Sequence, residues 1–292
     1  MKAVLIHNPV AGVHAPEWTE RRVAEVFGAA AWDLEIHRTR PNESITGLVH
    51  AALRAGANVI IAAGGDGTVP AVVNGMCGAE VPLAILPVGT GNALARELGC
   101  PLTLEEALRR IIGPHELRVI DLMQIGEQFF ALNISVGLST RIMSATPRAT
   151  KRVWGMLAYV ATGLAQLAGL RLTRFKIKVD GRRITARAAE VLLVNGGIAG
   201  FRVAPPGPPP DHSDGLLNLY LVRARTIGDF LTLGVNLLLG RHAVRSNFRV
   251  FTVSQALEIS TRKPVDVQAD GDLIGTTPLK VILRRAALKV IV

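Results

Sequence analysis

The sequence predicts an N-terminal α/β domain with a parallel, doubly wound sheet, followed by a C-terminal β-sandwich domain. Up to about residue 122, short apolar runs alternate with helical patterns, as in a parallel sheet whose faces are covered by helices. Beyond that point one strand-like run follows another. A chain of 292 residues is long enough for two such domains, and we expect them to span residues 1–122 and 123–292.

The first domain is expected to contain four strands and four helices. Apolar residues at helical spacing predict helices around Val23, around Leu48 and over Val69–Met76, and a fourth helix is expected over Asn92–Leu98. The strands are four short apolar runs, Val4–Ile6, Leu34–Ile36, Val59–Ala63 and Leu83–Leu86. This alternation is typical of a doubly wound sheet.

The second domain is expected to consist mainly of strands. The dipeptide Asp180-Gly181 is typical of a hairpin turn. Two helices are predicted near 152–170 and 226–239, and five prolines within 205–210 predict an extended loop because proline has no backbone N–H. The strand-like runs are Phe175–Val179, Glu190–Val194, Leu217–Val222, Phe248–Val253, Val265–Ala269 and Leu279–Leu283.

The stretch 153–170 has no charged residue and is of borderline length for a membrane span. It also contains three glycines, Thr162 and Gln166, which lower its hydrophobicity. We therefore expect a helix that is buried or lies at an interface, and not one that spans a bilayer.

Positive charge is concentrated in the second half of the chain. Residues 1–122 hold 10 basic and 13 acidic side chains, a net charge of −3, whereas residues 123–292 hold 23 and 10, a net charge of +13. Such a surplus suggests an anionic partner: nucleotide phosphates, nucleic acid or an acidic membrane surface. Nucleic acid is disfavoured because aromatic residues, on which bases stack, make up only 4% of the chain.

The two cysteines, Cys77 and Cys100, have no CxxC spacing and fit a reducing compartment. The apolar run near the N-terminus is too short for a signal peptide. We therefore expect a cytoplasmic protein.

Three small-residue loops follow predicted parallel strands. They are Asn8-Pro9-Val10-Ala11-Gly12, Gly64-Gly65-Asp66-Gly67-Thr68 and Pro87-Val88-Gly89-Thr90-Gly91-Asn92. Parallel strands bring such loops to one edge of the sheet, where ligands bind, and glycine amides at a helix start suit phosphates. The loops therefore predict a nucleotide site, although neither the P-loop nor the dinucleotide-binding pattern is present.

These motifs, with the late Asp270-Gly271-Asp272, resemble those of the diacylglycerol kinase catalytic-domain family, in particular its bacterial soluble lipid kinases. The resemblance covers nearly the whole chain. It implies ATP and Mg²⁺ as cofactors, and an active site between the α/β domain and the sandwich. The nucleotide-binding residues that it implies are Asn8, Pro9, Val10, Ala11, Gly12, Thr39, Gly64, Gly65, Asp66, Gly67, Thr68 and Thr90. An ordinary loop role remains the alternative for Thr39.

Several aspartates are candidates for metal binding or catalysis. Asp66 is expected to bind Mg²⁺ or its water, or to cap the helix that follows it. The resemblance implies a structural Mg²⁺ held by Asp211, Asp214 and the carbonyl of Leu216, with a solvated turn as the alternative. It also implies that Asp272 is the general base that deprotonates the lipid hydroxyl, and Asp270 is the alternative base.

The sequence departs from the family pattern at two positions, one in the late aspartate motif and one just after the second glycine loop. The base position carries Asp272 where the family has glutamate, and Pro70 stands where the family commonly has asparagine. A proline early in a helix is structurally harmless. The histidine between the two metal-binding candidates, His212, is expected to be a bystander.

We therefore predict an ATP-dependent kinase that phosphorylates a hydroxyl of a membrane lipid, most simply diacylglycerol. The basic second half would attract the protein to an anionic membrane surface as a peripheral protein. The alternatives are an NAD kinase-type enzyme, which shares the Gly-Gly-Asp-Gly-Thr loop, and a catalytically silent nucleotide- or lipid-binding regulator. The sequence leaves the oligomeric state open, a homodimer included.

Overall fold

The computed structural model describes residues 1–12, 15–145, 172–197, 211–224, 226, 228–229 and 248–292. The helix predicted over 152–170, most of the helix predicted over 226–239 and the proline-rich segment 205–210 lie outside these residues. Among the helices that are described, none is long and apolar enough to cross a bilayer.

The first part of the chain forms the predicted parallel sheet. Its order is β2-β1-β3-β4, and neighbouring strands pair in parallel. The elements are β1 (Lys2–His7), α1 (Pro16–Ala29), β2 (Asp33–Arg38), α2 (Ile45–Arg54), β3 (Val59–Gly64), α3 (Thr68–Met76), β4 (Leu83–Pro87), α4 (Ala93–Leu98) and α5 (Leu104–Ile112). Helices cover both faces, so β3 and β4 are buried along their whole length.

Helix α5 is absent from the prediction, although its sequence carries a start signal. The Thr103 hydroxyl accepts a hydrogen bond from the Glu106 N–H at 3.3 Å and donates one to the Glu106 carboxylate at 2.8 Å. This exchange is a variant of the capping box, which marks the start of a helix. Ala107, Leu108 and Ile111 form the buried side of α5.

The second part of the chain forms the predicted sandwich. Its described elements are β5 (Leu117–Ile125), β6 (Gln128–Phe130), β7 (Asn133–Gly137), α6 (Leu138–Ala145), β8 (Thr173–Val179), β9 (Arg182–Ala188), β10 (Glu190–Val194), β11 (Leu217–Val222), β12 (Phe248–Val253), β13 (Ala256–Thr261), β14 (Asp266–Ala269), β15 (Asp272–Thr276) and β16 (Leu279–Ile291). One sheet has the order β12-β11-β10-β7-β14-β15. Strands β5, β8, β9, β13 and β16 form the facing sheet, and apolar residues of both sheets make one core.

Strand β16 belongs to both domains. It pairs with β13 over Ala256–Ile259, with β5 over most of its length, and in parallel with β4 where Val290 meets Leu83. The first and second domains therefore share one ten-stranded sheet. The strand predicted over Leu279–Leu283 is longer than expected, because a bulge lets it continue past the exposed arginines at 284 and 285.

The bulge is held by a buried aspartate. Ala286 has a φ of +48°, and its N–H donates to Asp121 Oδ1 at 2.8 Å. Asp121 Oδ2 accepts a second bond from the Gly215 N–H at 2.7 Å. One carboxylate thus fixes the bend of β16 and the start of β11, so it ties the shared strand to the second domain.

Candidate functional site

The three small-residue loops meet at the carboxyl edge of the parallel sheet. Their approach is so close that a Cβ at Gly12 would overlap the Val88 carbonyl, and a Cβ at Gly89 would overlap Gly65 Cα. Glycine is needed at these positions because main chain packs against main chain. The loops therefore lie in contact at this edge, where they were predicted to meet.

The first loop is fastened to the second by an asparagine. The Asn8 N–H donates to the Ala63 carbonyl at 2.9 Å, and Asn8 Nδ2 donates to Thr68 Oγ1 at the same distance. Thr68 is buried, whereas Val10 at the tip of the first loop is 89% exposed. Asn8 and Thr68 thus set the spacing of two loops whose outer residues face solvent.

The amides of the second loop are available to a ligand. In the described part of the chain, no acceptor is hydrogen-bonded to the main-chain N–H of Asp66 or of Gly67. Both residues are exposed, and they stand directly before α3. Unpaired amides at the start of a helix favour an anion, phosphate included.

Asp66 caps a different helix from the one expected. Its Oδ1 accepts a hydrogen bond from the Ala93 N–H at 2.7 Å, at the start of α4. Gly67, and not Asp66, is the N-cap of α3 and makes no side-chain cap bond. The expectation that Asp66 caps the helix after it is wrong, because the adjacent loop brings α4 closer. The Asp66 side chain remains exposed.

The two threonines of the prediction lie at the same edge. Thr39 directly follows β2 and is half-buried, and its N–H donates to the His7 carbonyl at 2.8 Å. Thr90 is exposed between Gly89 and Gly91. Pro70 lies in the first turn of α3, where a missing N–H costs no helical hydrogen bond.

Asp270 is a buried residue of the turn between β14 and β15. It is 7% exposed, and its carboxylate accepts hydrogen bonds from the N–H groups of Ala131, Leu132 and Asn133 at 2.8, 3.0 and 2.9 Å. Burial raises the pKa of this carboxyl, and the three donors offset part of the rise. Both carboxylate oxygens therefore accept hydrogen bonds that hold the turn in place.

Asp272, two residues later, is exposed and lines a cavity of about 370 Å³ between the two domains. The first domain contributes Gly67 and α3 to the cavity wall, and the second contributes β6 and the β14–β15 hairpin. The lining residues are Gly67, Pro70, Ala71, Asn74, Gln128, Phe129, Phe130, Ala269, Asp270, Asp272, Leu273 and Ile274. The cavity thus brings the second glycine loop and a free carboxylate to one space.

The metal candidates Asp211 and Asp214 are exposed and lie just before β11. Each forms an Asx turn: Asp211 Oδ1 accepts from the Ser213 N–H, and Asp214 Oδ1 accepts from the Leu216 N–H, both at 2.9 Å. Partial burial raises the pKa of Asp214, and the carboxylates of Asp211 and Asp121 raise it further. Within the described ranges, no three His, Cys, Asp or Glu side chains form a metal-binding cluster.

Between those aspartates lies a contact that sequence reasoning missed. His212 is buried, and its Nε2 lies 2.9 Å from Oε2 of Glu97 on α4. The Gly197 N–H also donates to Glu97 Oε2, at 2.9 Å. His212 therefore joins the first domain to the second. No sequence signal indicates this contact, because the two residues are 115 positions apart.

Both halves of the chain match families of known proteins. Residues 2–125 match the family described as "Diacylglycerol kinase catalytic domain", and residues 133–292 match "YegS C-terminal NAD kinase beta sandwich-like domain". The chain belongs to the family of diacylglycerol kinases and YegS-like lipid kinases. The resemblance inferred from the glycine loops and the late aspartates is thereby confirmed.

Relatives of this kinase family match the chain over nearly its whole length. A "Diacylglycerol kinase" of Bacillus subtilis is 28% identical over 95% of this chain and 91% of its own. A Pseudomonas fluorescens protein named "Probable lipid kinase YegS-like" is 32% identical over 99% of this chain and 94% of its own. The fold is shared with a crystal structure of a diacylglycerol kinase from Bacillus anthracis, with a TM-score of 0.79, 23% identity and coverage of 99% and 96%.

Proposed function

We propose that this protein is an ATP-dependent lipid kinase that transfers the γ-phosphoryl group of ATP to a hydroxyl of a membrane lipid, most simply diacylglycerol. The observation that carries the proposal is the cavity of about 370 Å³, because Gly67 of the phosphate-type loop and the exposed Asp272 line the same space. Family membership supports kinase chemistry, and the cavity supplies a place where a hydroxyl acceptor meets the nucleotide.

In this proposal the three loops bind ATP. The exposed amides of Asp66 and Gly67 donate to phosphate oxygens, and the glycines keep side chains out of the cradle. Asn8 and Thr68 hold the first two loops at their spacing through a bond of 2.9 Å. Thr39 follows β2 and Thr90 follows β4 at the same edge of the sheet, and the proposal assigns both of them to nucleotide binding.

Asp272 is proposed as the general base. It accepts the proton of the acceptor hydroxyl while that oxygen forms a bond to the γ-phosphorus and the bond to the β-phosphate oxygen breaks, releasing ADP. Asp270 is less suited, because three N–H groups occupy its carboxylate. Asp270 instead fixes the turn from which Asp272 extends.

Mg²⁺ is proposed at two places, beside Asp66 and at the turn that carries Asp211 and Asp214. Asp66 is exposed beside the phosphate-type loop, with Oδ2 still able to accept a ligand bond. Asp211 and Asp214 lie near each other and near Asp121, and their mutual repulsion is the condition that a bound cation relieves. At Asp66, Mg²⁺ would neutralise charge on the phosphates, and at Asp211, Asp214 and the Leu216 carbonyl it would be structural.

Label transfer from γ-labelled ATP tests this function. With Mg²⁺, we expect label in one lipid of a mixed-micelle panel that contains diacylglycerol, a sphingoid base and phosphatidylglycerol, with NAD as a soluble acceptor. Asp272→Asn is expected to lower the rate by about a hundredfold or more, because an amide cannot take the proton. Asp33→Asn, on an exposed strand end in the first domain, is the matched control and should keep the wild-type rate.

Three outcomes would contradict the proposal in different ways. Label in NAD would indicate the NAD kinase-type activity. Full activity of Asp272→Asn would exclude Asp272 as the base. ATP binding with no label in any acceptor would indicate a silent regulator.

A further inference from the structure

One outer surface of the sandwich carries an array of basic side chains. Strands β16, β13, β8 and β9 lie side by side, and alternate residues of each point away from the core. On β8, for example, Phe175 and Ile177 are buried while Lys176 between them is exposed. We define the basic face as Arg174, Lys176, Lys178, Arg183, Arg187 and Lys280.

Like charges face each other directly on this surface. The strand register sets Arg174 opposite Arg187 and Lys178 opposite Arg183. Opposed like charges on neighbouring strands destabilise a sheet. Glu258, whose Oε1 lies 3.3 Å from Lys178 Nζ, is the single acidic residue of these four fully described strands. These four strands therefore leave most of the repulsion unrelieved, and an external anion would relieve it.

The basic face also contains a depression of about 590 Å³. Four basic residues, Lys176, Lys178, Arg183 and Lys280, line it together with one carboxylate, Glu258, which pairs with Lys178. Thr185 and Ser260 supply hydroxyl groups. Ammonium, guanidinium and hydroxyl groups all donate hydrogen bonds to phosphate oxygens. No aromatic residue lines the depression, so it offers no surface on which a base could stack.

The charges are spread too widely for one small anion. Arg174 and Lys178 are four residues apart on β8, which is about 13 Å along a strand, and the four strands extend the array sideways at about 4.8 Å per strand. A flat array of this size matches a plane of many phosphate groups. An anionic bilayer presents such a plane, and it attracts basic residues near its surface by about fivefold in affinity for each residue.

We propose that the basic face docks the protein on a bilayer that contains anionic phospholipids, with a lipid phosphate in the depression. The choice of a bilayer over another polyanion rests on the proposed function, because the acceptor lipid resides in a membrane. The docking itself requires neither ATP nor turnover.

Vesicle co-sedimentation of the full chain tests this inference. Vesicles of phosphatidylcholine with phosphatidylglycerol are compared with vesicles of phosphatidylcholine alone. The variant Arg183→Gln with Arg187→Gln removes both opposed pairs, so we expect binding about 30-fold weaker together with a thermal stability equal to or above that of the wild type. Arg21→Gln with Arg54→Gln, two exposed arginines of the first domain, is the matched control.

Three results together would support the proposal: binding requires phosphatidylglycerol, binding weakens with added salt, and only the β9 variant shows the roughly 30-fold loss of affinity. Equal binding to both vesicle types, equal loss in both double variants, or a lowered stability of the β9 variant would overturn it. Preferential binding of duplex DNA over the vesicles would also overturn it. Since sedimentation needs no catalysis, its failure leaves the kinase proposal standing, and failure of the label-transfer assay leaves the docking result valid.

Discussion

Asp270 and Asp272 are separated by one glycine, yet only one of them is free to act on a substrate. Both residues line the cavity, but the Asp270 carboxylate is buried and accepts three N–H bonds, whereas Asp272 is exposed. Asp270→Asn keeps a residue type that tolerates the φ of +44° but places an NH₂ group against those donors. We expect it to lower the free energy of unfolding by about 2–4 kcal/mol.

Denaturant unfolding of both variants measures this difference. Asp272→Asn is the control and should change the free energy of unfolding by no more than about 0.5 kcal/mol, because its side chain is exposed. Equal destabilisation by the two substitutions would contradict the assignment of a structural role to Asp270 and a chemical role to Asp272.

Glu190 is another buried acid, and its environment predicts that the stability of the protein depends on pH. Burial raises its pKa to about 7, although its oxygens accept bonds from the Ser139 N–H at 2.9 Å and the Ser139 hydroxyl at 2.5 Å. The pKa of Glu190 in the folded state lies above the unfolded value of 4.5. Its contribution to the free energy of unfolding is therefore fully present below about pH 4.5 and is lost as the pH rises through 7.

Glu190→Gln should remove that loss. Above pH 7 we expect the variant to be more stable than the wild type by about 3 kcal/mol, with the difference shrinking toward zero as the pH falls to 4.5. Denaturant unfolding across this pH range measures it, with Glu127→Gln on an exposed turn as the control. A constant difference at every pH would show that Glu190 does not change its protonation state there.

Among the structural elements, the loop that follows β4 depends on the absence of a side chain. A Cβ at Gly89 would overlap Gly65 Cα and lie 2.9 Å from Asn92 Oδ1, so Gly89→Ala must push the second and third loops apart. We expect at least a tenfold loss of affinity for an ATP analogue and a loss of stability of about 1–3 kcal/mol. Calorimetric titration and thermal unfolding measure the two effects.

Gly28→Ala is the matched control for that experiment. Gly28 lies in α1, and a methyl group added there would meet no atom within 4 Å, so alanine should stabilise the helix slightly and leave nucleotide affinity unchanged. Wild-type affinity in Gly89→Ala would contradict the close approach of the loops.

Among the structural elements, three strands of the first domain were the easiest to predict from the sequence. Strands β1, β3 and β4 were predictable because both of their faces are buried and they form apolar runs. Strand β5 was missed because Asp121 interrupts its apolar run, and the second half of β16 because a bulge exposes Arg284 and Arg285. The loops of the site could be predicted from their glycines. The Glu97–His212 contact could not, because it depends on how the domains pack.

At the scale of the whole molecule, the shared sheet predicts that both domains unfold together. Strand β16 pairs with β4 of the first domain and with β5 and β13 of the second, so its loss would expose a strand edge in each domain. We expect one calorimetric transition, with equal calorimetric and van't Hoff enthalpies. Two resolved transitions would contradict this coupling, and so would a calorimetric enthalpy well above the van't Hoff enthalpy.

The position of β16 in chain order has a consequence for synthesis on the ribosome. Among the described strands, β4, β5 and β13 each have a backbone edge that residues 279–291 cover. A nascent chain that has emerged only as far as residue 278 therefore presents three unpaired edges at once, and such edges recruit other chains. Chaperone binding to the growing polypeptide should persist until this strand emerges, and messages truncated upstream of its codons should yield aggregates and not a working first domain.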